Sequence, residues 1–173
     1  YKFQIQSIKN GDKYRMWSSA FLHADYSHLF FNLFTLWVFS GAILMQLGEF
    51  YYLIIYLLSL YFGNFFTLKQ HKNEVFYSAV GASGAVTGIV YSSILLFPEM
   101  KLALLFFPIP LPSYVFGLCY ILYSIYGMKK NSGNIGHSAH LGGAIAGMII
   151  TILIKPSILI EQTWLVLLLL TPF

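Results

Sequence analysis

Charge is what this chain has least of. Asp, Glu, Lys and Arg together make up 9% of its 173 residues, where a soluble domain carries about 25%. With 58% hydrophobic residues and a mean hydropathy of +0.70, the composition is that of a domain living in lipid. Cysteine is nearly absent too. Cys119 stands alone inside an apolar run, which excludes an internal disulfide and leaves the redox compartment unread. There is no basic block, so a net charge of +4 gives no reason to expect a nucleic-acid partner, although it suits anionic headgroups. No repeat, low-complexity linker or second domain interrupts the chain. It begins at Tyr1 without a signal-peptide pattern, and an N-terminal piece is expected to be missing.

What charge there is falls in useful places. The ten Lys and Arg and six Asp and Glu leave charge-free runs at 26–48, 50–68, 75–98, 102–128 and 131–154. A spanning helix needs about 20 apolar residues, and backbone buried in hydrocarbon must satisfy its own hydrogen bonds, which favours helices. The reading is an all-α membrane protein, a polytopic bundle of five full transmembrane helices. It forms one domain over 1–173, with a first loop at 1–25, a helical core at 26–154 and a C-terminal tail at 155–173. The prolines of "FPIPLP" (107–112) do not fit inside a regular helix. The fourth helix is therefore expected to start near Ser113, with 98–112 a loop or interfacial segment. The tail "TWLVLLLLTPF" is apolar but too short to cross alone.

Alternating helix directions sort the ends. Residues 1–25, 69–74 and 129–136 share one side, side A, while 49, 98–112 and 155 lie on side B. The helices at 27–47, 82–97 and 138–154 then all start from side A. Their first turns hold the polar groups: His23, His28 and Asn32 in "HADYSHLFFN", Ser83 in "GASG", and His137 and His140 in "GHSAHLGG". Ionisable and polar groups within a membrane are expensive and are usually functional.

A hydroxyl and an imidazole suffice for nucleophilic catalysis: the ring takes the hydroxyl proton and the oxygen attacks a carbonyl. The Asn32 amide, the His28 ring and the Ser83 backbone N–H could stabilise the oxyanion, with help from the helix dipole at Ser83. Gly84 and Gly88 are four apart, as are Gly143 and Gly147, and such small-residue faces let membrane helices approach closely. Asp25, the only carboxylate near these helix starts, suits an N-cap. The expectation is a Ser–His dyad without a third member. His137 and His140 could instead be metal ligands, with His23 or His28 completing a site, but no buried carboxylate or cysteine joins them. No metal is expected. His137 reads as a loop residue at the side A surface and His71, in "KQHKNE", as solvated.

The stretches "HADYSHLFFN", "GASG" and "AHLGGAIAG", in this order, resemble the rhomboid intramembrane serine proteases, over most of the chain from Arg15 to Gly147. The resemblance implies Ser83 as nucleophile, His140 as its base, His28 and Asn32 as oxyanion donors, and Gly81 shaping the turn before Ser83. His23 and Arg15 match a histidine and an arginine of the family's first loop. It implies substrates that are transmembrane segments of other proteins, no cofactor, and a multi-pass place in a bacterial inner or plasma membrane. Three departures stand out. The family's first helix has no counterpart here, Tyr14-Arg15 replaces a frequent Trp-Arg, and Thr87 stands where many members have a tyrosine packed on the catalytic His. Either another aromatic takes that place or His140 is held differently. The cations are also unevenly spread. Side A holds Lys2, Lys9, Lys13, Arg15, Lys69, Lys72, Lys129 and Lys130, and side B holds Lys101 and Lys155. The positive-inside rule would make side A cytoplasmic, whereas the family's orientation makes it extracytoplasmic, the reading favoured here. The competing function is a non-catalytic rhomboid-like protein that binds membrane clients; such relatives have usually lost the Ser or the His.

Overall fold

The structure, a computed structural model, describes residues 1–104, 107–130 and 136–172. It is predominantly helical. In chain order the elements are β1 (Phe3–Gln4), α1 (Ile5–Lys9), α2 (Arg15–Ser18), a 3-10 turn (Ser19–Phe21), α3 (Tyr26–Gln70), β2 (Ser78–Ala79) and α4 (Ser83–Leu96). There follow β3 (Lys101–Leu104), β4 (Phe107–Pro112), α5 (Ser113–Lys130), α6 (His137–Ile154), α7 (Ile158–Glu161) and α8 (Thr163–Leu170).

α3 is two helical arms joined at Gly48, whose φ of 81° and ψ of 174° are not helical. Glycine alone enters that region freely. The chain folds back there. Ser40 Oγ lies 3.0 Å from Tyr52 Oη, although twelve residues of straight helix would hold them roughly 18 Å apart. The break falls next to Glu49, the charge that separates the first two apolar runs. Asp25 caps the start of α3, its side chain accepting from the His28 N–H at 2.8 Å.

α4 is the central element. Every residue from Gly84 to Leu95 is buried, as suits a helix that is apolar on all faces. α6 crosses it closely enough that a Cβ added at Gly143 or Gly147 would run into the backbone carbonyls of Gly84 or Gly88. The second arm of α3 packs on the same pair. A Cβ on Gly63 would lie 2.7 Å from the Ala139 carbonyl oxygen. One core of buried side chains joins α3, α4, α5, α6 and α8, including Ile43, Ile89, Tyr91, Ile94, Leu165 and Leu169. A smaller cluster of Phe3, Ile5, Ile8 and Met16 seats the N-terminal segment against Tyr61, Leu68 and Tyr77. There β1 pairs antiparallel with β2, Phe3 opposite Ala79.

Two helices among the described residues are long and apolar enough to cross a membrane, α3 and α6; α4 is apolar but shorter. The stretch 98–112, expected to be a loop or interfacial segment, holds a short antiparallel pair, with Lys101 opposite Pro112 and Leu102 opposite Leu111. Prolines are tolerated on such an isolated ribbon because each needs only one unbonded edge. α5 starts at Ser113, the residue after the last proline, and the Ser113 hydroxyl donates to the Pro98 carbonyl at 3.0 Å.

Candidate active site

Ser83 opens α4 and follows Gly81, whose φ is +123°. No other residue suits that turn. Its φ lies where side chains are strained, and an added Cβ would sit 2.6 Å from His28 Cε1. The Gly81 N–H donates to the Ser19 carbonyl at 3.0 Å, tying the turn to the N-terminal segment. The residue before Ser83 is Ala82, which has no side chain to cap the helix, so the first N–H groups of α4 are left for another acceptor.

His140 lies one turn into α6 and is buried. Its Nε2 is 2.6 Å from Ser83 Oγ. The glycine crossing of α4 and α6 makes this possible, because neither helix presents a side chain to hold the other away. The site's other nitrogen is occupied as well. His140 Nδ1 is 2.8 Å from Tyr120 Oη of α5, and the two rings stack with centroids 5.9 Å apart. The sequence reading expected no third member and left open which aromatic packs on His140. It had no means to choose, since Tyr120 is one of 13 tyrosines and no spacing rule singles it out. Thr87 donates to the Ser83 carbonyl at 2.7 Å, the back-bond open to a hydroxyl four residues further along a helix.

Ser83 and His140 face a cavity of about 910 Å³ that also takes in His28, Asn32, Thr87 and Tyr120. Asn32 is buried, and its Nδ2 has no hydrogen-bond partner among the described residues. A buried amide left this way calls for an explanation. The His28 ring lies over Gly81 and packs edge-on to His23, centroids 5.1 Å apart. Burial lowers the pKa of His23, and the neighbouring His28 charge lowers it further.

Other sequence expectations change. His137 is not at the surface. It is 5% exposed, packed edge-on to Tyr123 at 5.1 Å and over Gly127, where a Cβ would overlap its ring. His71 is not simply solvated. Its ring stacks on Tyr77 at 3.8 Å, Nδ1 lies 3.0 Å from Glu74 Oε1, and Nε2 lies 3.4 Å from Ser138 Oγ. Arg15 pairs with Asp12 at 2.9 Å and donates to the Lys2 carbonyl at 3.1 Å, which gives it a role within the N-terminal segment. Among the described residues no three His, Cys, Asp or Glu side chains are grouped to hold a metal.

A helical bundle with a serine–imidazole contact at the buried end of its central helix is the class this chain falls in. The rhomboid domain family matches residues 10–157. Rhomboid protein 1, mitochondrial, of Saccharomyces cerevisiae is 31% identical over 134 residues, 76% of this chain and 39% of the yeast protein. RHOMBOID-like protein 12, mitochondrial, of Arabidopsis thaliana is 31% identical over 164 residues, 86% of this chain and 48% of the plant protein. YdcA of Bacillus subtilis is 29% identical over 157 residues, 84% of this chain and 69% of its own length. The chain belongs to the rhomboid family, whose members are integral to membranes, and it spans less than half of the first two relatives.

Proposed function

We propose that this protein is an intramembrane serine protease that cleaves peptide bonds in or near transmembrane segments of other membrane proteins. The observation that carries the reading is the 2.6 Å approach of Ser83 Oγ to His140 Nε2. It occurs in a cavity that also holds the Asn32 amide, whose Nδ2 has no partner among the described residues.

The chemistry follows from that geometry. His140 Nε2 takes the Ser83 proton as Oγ attacks the substrate carbonyl. The negative charge that develops on the carbonyl oxygen is met by Asn32 Nδ2, the His28 ring and the uncapped backbone N–H at Ser83. The intermediate collapses, and His140 passes its proton to the departing amine. Water, activated by the same imidazole, then releases the acyl group from Ser83. No cofactor is needed for these steps.

The membrane frame supports it. We read five crossings: the two arms of α3, then α4, α5 and α6. Each arm of α3, 26–47 and 49–70, is roughly 33 Å long at 1.5 Å per residue. α4 has 14 residues, roughly 21 Å, against a hydrocarbon core of about 30 Å. A helix that short, surrounded by longer ones, starts below the membrane surface, so Ser83 lies at the floor of a recess that admits water from side A. Residues 1–173 form one domain, with α7 and α8 packed against its core and too short to cross. The relatives point to a bacterial or mitochondrial membrane.

The test is labelling by a fluorophosphonate probe together with cleavage of a reporter bearing a transmembrane segment. Native protein should do both, and Ser83→Ala and His140→Ala should do neither while remaining folded in detergent. A folded native sample that takes no label would favour the client-binding alternative, and residual cleavage by Ser83→Ala would end the serine mechanism.

A further inference from the structure

Tyr120 and Thr87 form a group that the Ser–His chemistry does not by itself require. Tyr120 Oη is within 2.8 Å of His140 Nδ1. Thr87 lines the same cavity as Tyr120 and donates to the Ser83 carbonyl at 2.7 Å. We propose that Tyr120 and Thr87 are positioning residues that set the tautomer of His140, closing a one-way ring of hydrogen bonds that starts and ends on Ser83. The inference rests on the serine-protease reading for its kinetic consequence, though not for its structural one.

Proton counting gives the direction. To receive a proton from Ser83, His140 needs a bare Nε2, so its single ring proton must reside on Nδ1. Nδ1–H then donates to Tyr120 Oη. The phenol proton is thereby freed to point at Thr87 Oγ1, and the Thr87 proton is already committed to the Ser83 carbonyl. Each hydroxyl donates once and accepts once. Reversing the link between Tyr120 and His140 would place the ring proton on Nε2 and leave His140 as a donor to Ser83, which is useless as a base. Thr87 is therefore the anchor. Its i−4 bond to Ser83 directs its lone pairs at Tyr120, and Tyr120 in turn presents lone pairs to Nδ1. A carboxylate does this work in the familiar triads and loses about 10⁴ in kcat when it can no longer select the tautomer. A neutral phenol is a weaker acceptor and should matter less.

The arrangement also explains the substitution at 87. A tyrosine on α4 at that position would occupy the space above His140, and here α5 supplies the aromatic ring while α4 supplies only a hydroxyl. Because Tyr120 comes from α5, the tautomer preference holds only while α5 is seated against α6.

The decisive measurement is the 15N spectrum of selectively labelled His140 in detergent, beside reporter cleavage. Native protein should show the Nδ1–H tautomer. Tyr120→Phe, which deletes one oxygen, should shift the population toward Nε2–H and lower kcat roughly 10- to 100-fold with KM within twofold. Thr87→Val should do the same more weakly, and Thr87→Ser, which keeps the hydroxyl, should restore both. A Tyr120→Phe protein with an unchanged tautomer overturns the proposal whether or not kcat falls, since a kinetic loss alone would mean only packing. If the native enzyme neither cleaves nor labels but shows the Nδ1–H tautomer that Tyr120→Phe abolishes, the protease reading fails and the hydrogen-bond ring stands.

Discussion

Ser83 and His140 meet across 57 positions of sequence, and what lets them meet is the absence of side chains elsewhere. Gly81 lets the chain turn with φ +123° beneath the His28 ring. Asn32 stands out in the cavity, since its buried Nδ2 has no hydrogen-bond partner among the described residues. In the proposed mechanism that donor is filled in the transition state, when the carbonyl oxygen becomes an oxyanion. Asn32→Ala should accordingly lower kcat about 10²- to 10³-fold, with KM nearly unchanged because ground-state binding does not use the bond. Steady-state cleavage of a transmembrane reporter checks this, and a change confined to KM would place Asn32 in substrate binding. Much at this scale was legible beforehand. His28, Asn32, Ser83 and His140 announce themselves because polar groups in an apolar chain are few. Tyr120 did not, because an aromatic in a membrane protein with 13 tyrosines carries no such contrast. His71 and His137 were misjudged for a related reason. Both flank polar loops, and packing against Tyr77 and Tyr123 half-buries His71 and buries His137.

At the scale of elements the crossing of α4 and α6 governs the site. The added Cβ positions of Gly143 and Gly147 fall on the carbonyls of Gly84 and Gly88, so the two backbones are in direct contact. Gly147 lies two turns below His140 and touches nothing in the cavity. Gly147→Leu should therefore separate the helices, destabilising the fold by at least the roughly 1–3 kcal/mol typical of overpacking and lengthening the Ser83–His140 contact. Thermal unfolding in detergent should report a lowered midpoint, with probe labelling slowed even in the fraction that remains folded. The same substitution at Gly41, where a Cβ meets open space, should do neither. Helix ends were read from punctuation: Glu49 sits beside the break at Gly48, and Pro112 immediately precedes α5. The ribbon of β3 and β4 was not foreseen, since three prolines in six residues outweigh any strand signal in sequence alone.

For the whole molecule the unsettled property is its direction in the membrane. On the five-crossing reading, eight of the ten Lys and Arg lie on the side from which Ser83 would be reached, and two on the other. Counted alone, that bias places the site toward the cytoplasm. We expect the opposite, the orientation that the resemblance to the rhomboid proteases implies. With Cys119→Ser as background, a cysteine at Lys72 should react with a membrane-impermeant maleimide in intact cells, and one at Lys155 only after lysis. The reverse pattern would put the recess on the cytoplasmic side. The apolar runs, their order and the residues proposed to carry chemistry follow from the sequence by itself, because sixteen charges and a handful of polar groups are conspicuous against so much hydrocarbon. Which aromatic meets His140, why a threonine stands at 87, and how Gly84 and Gly88 receive Gly143 and Gly147 were decided by tertiary structure. Those depend on how helices lie against one another, and hydrophobicity, being non-directional, carries no record of it.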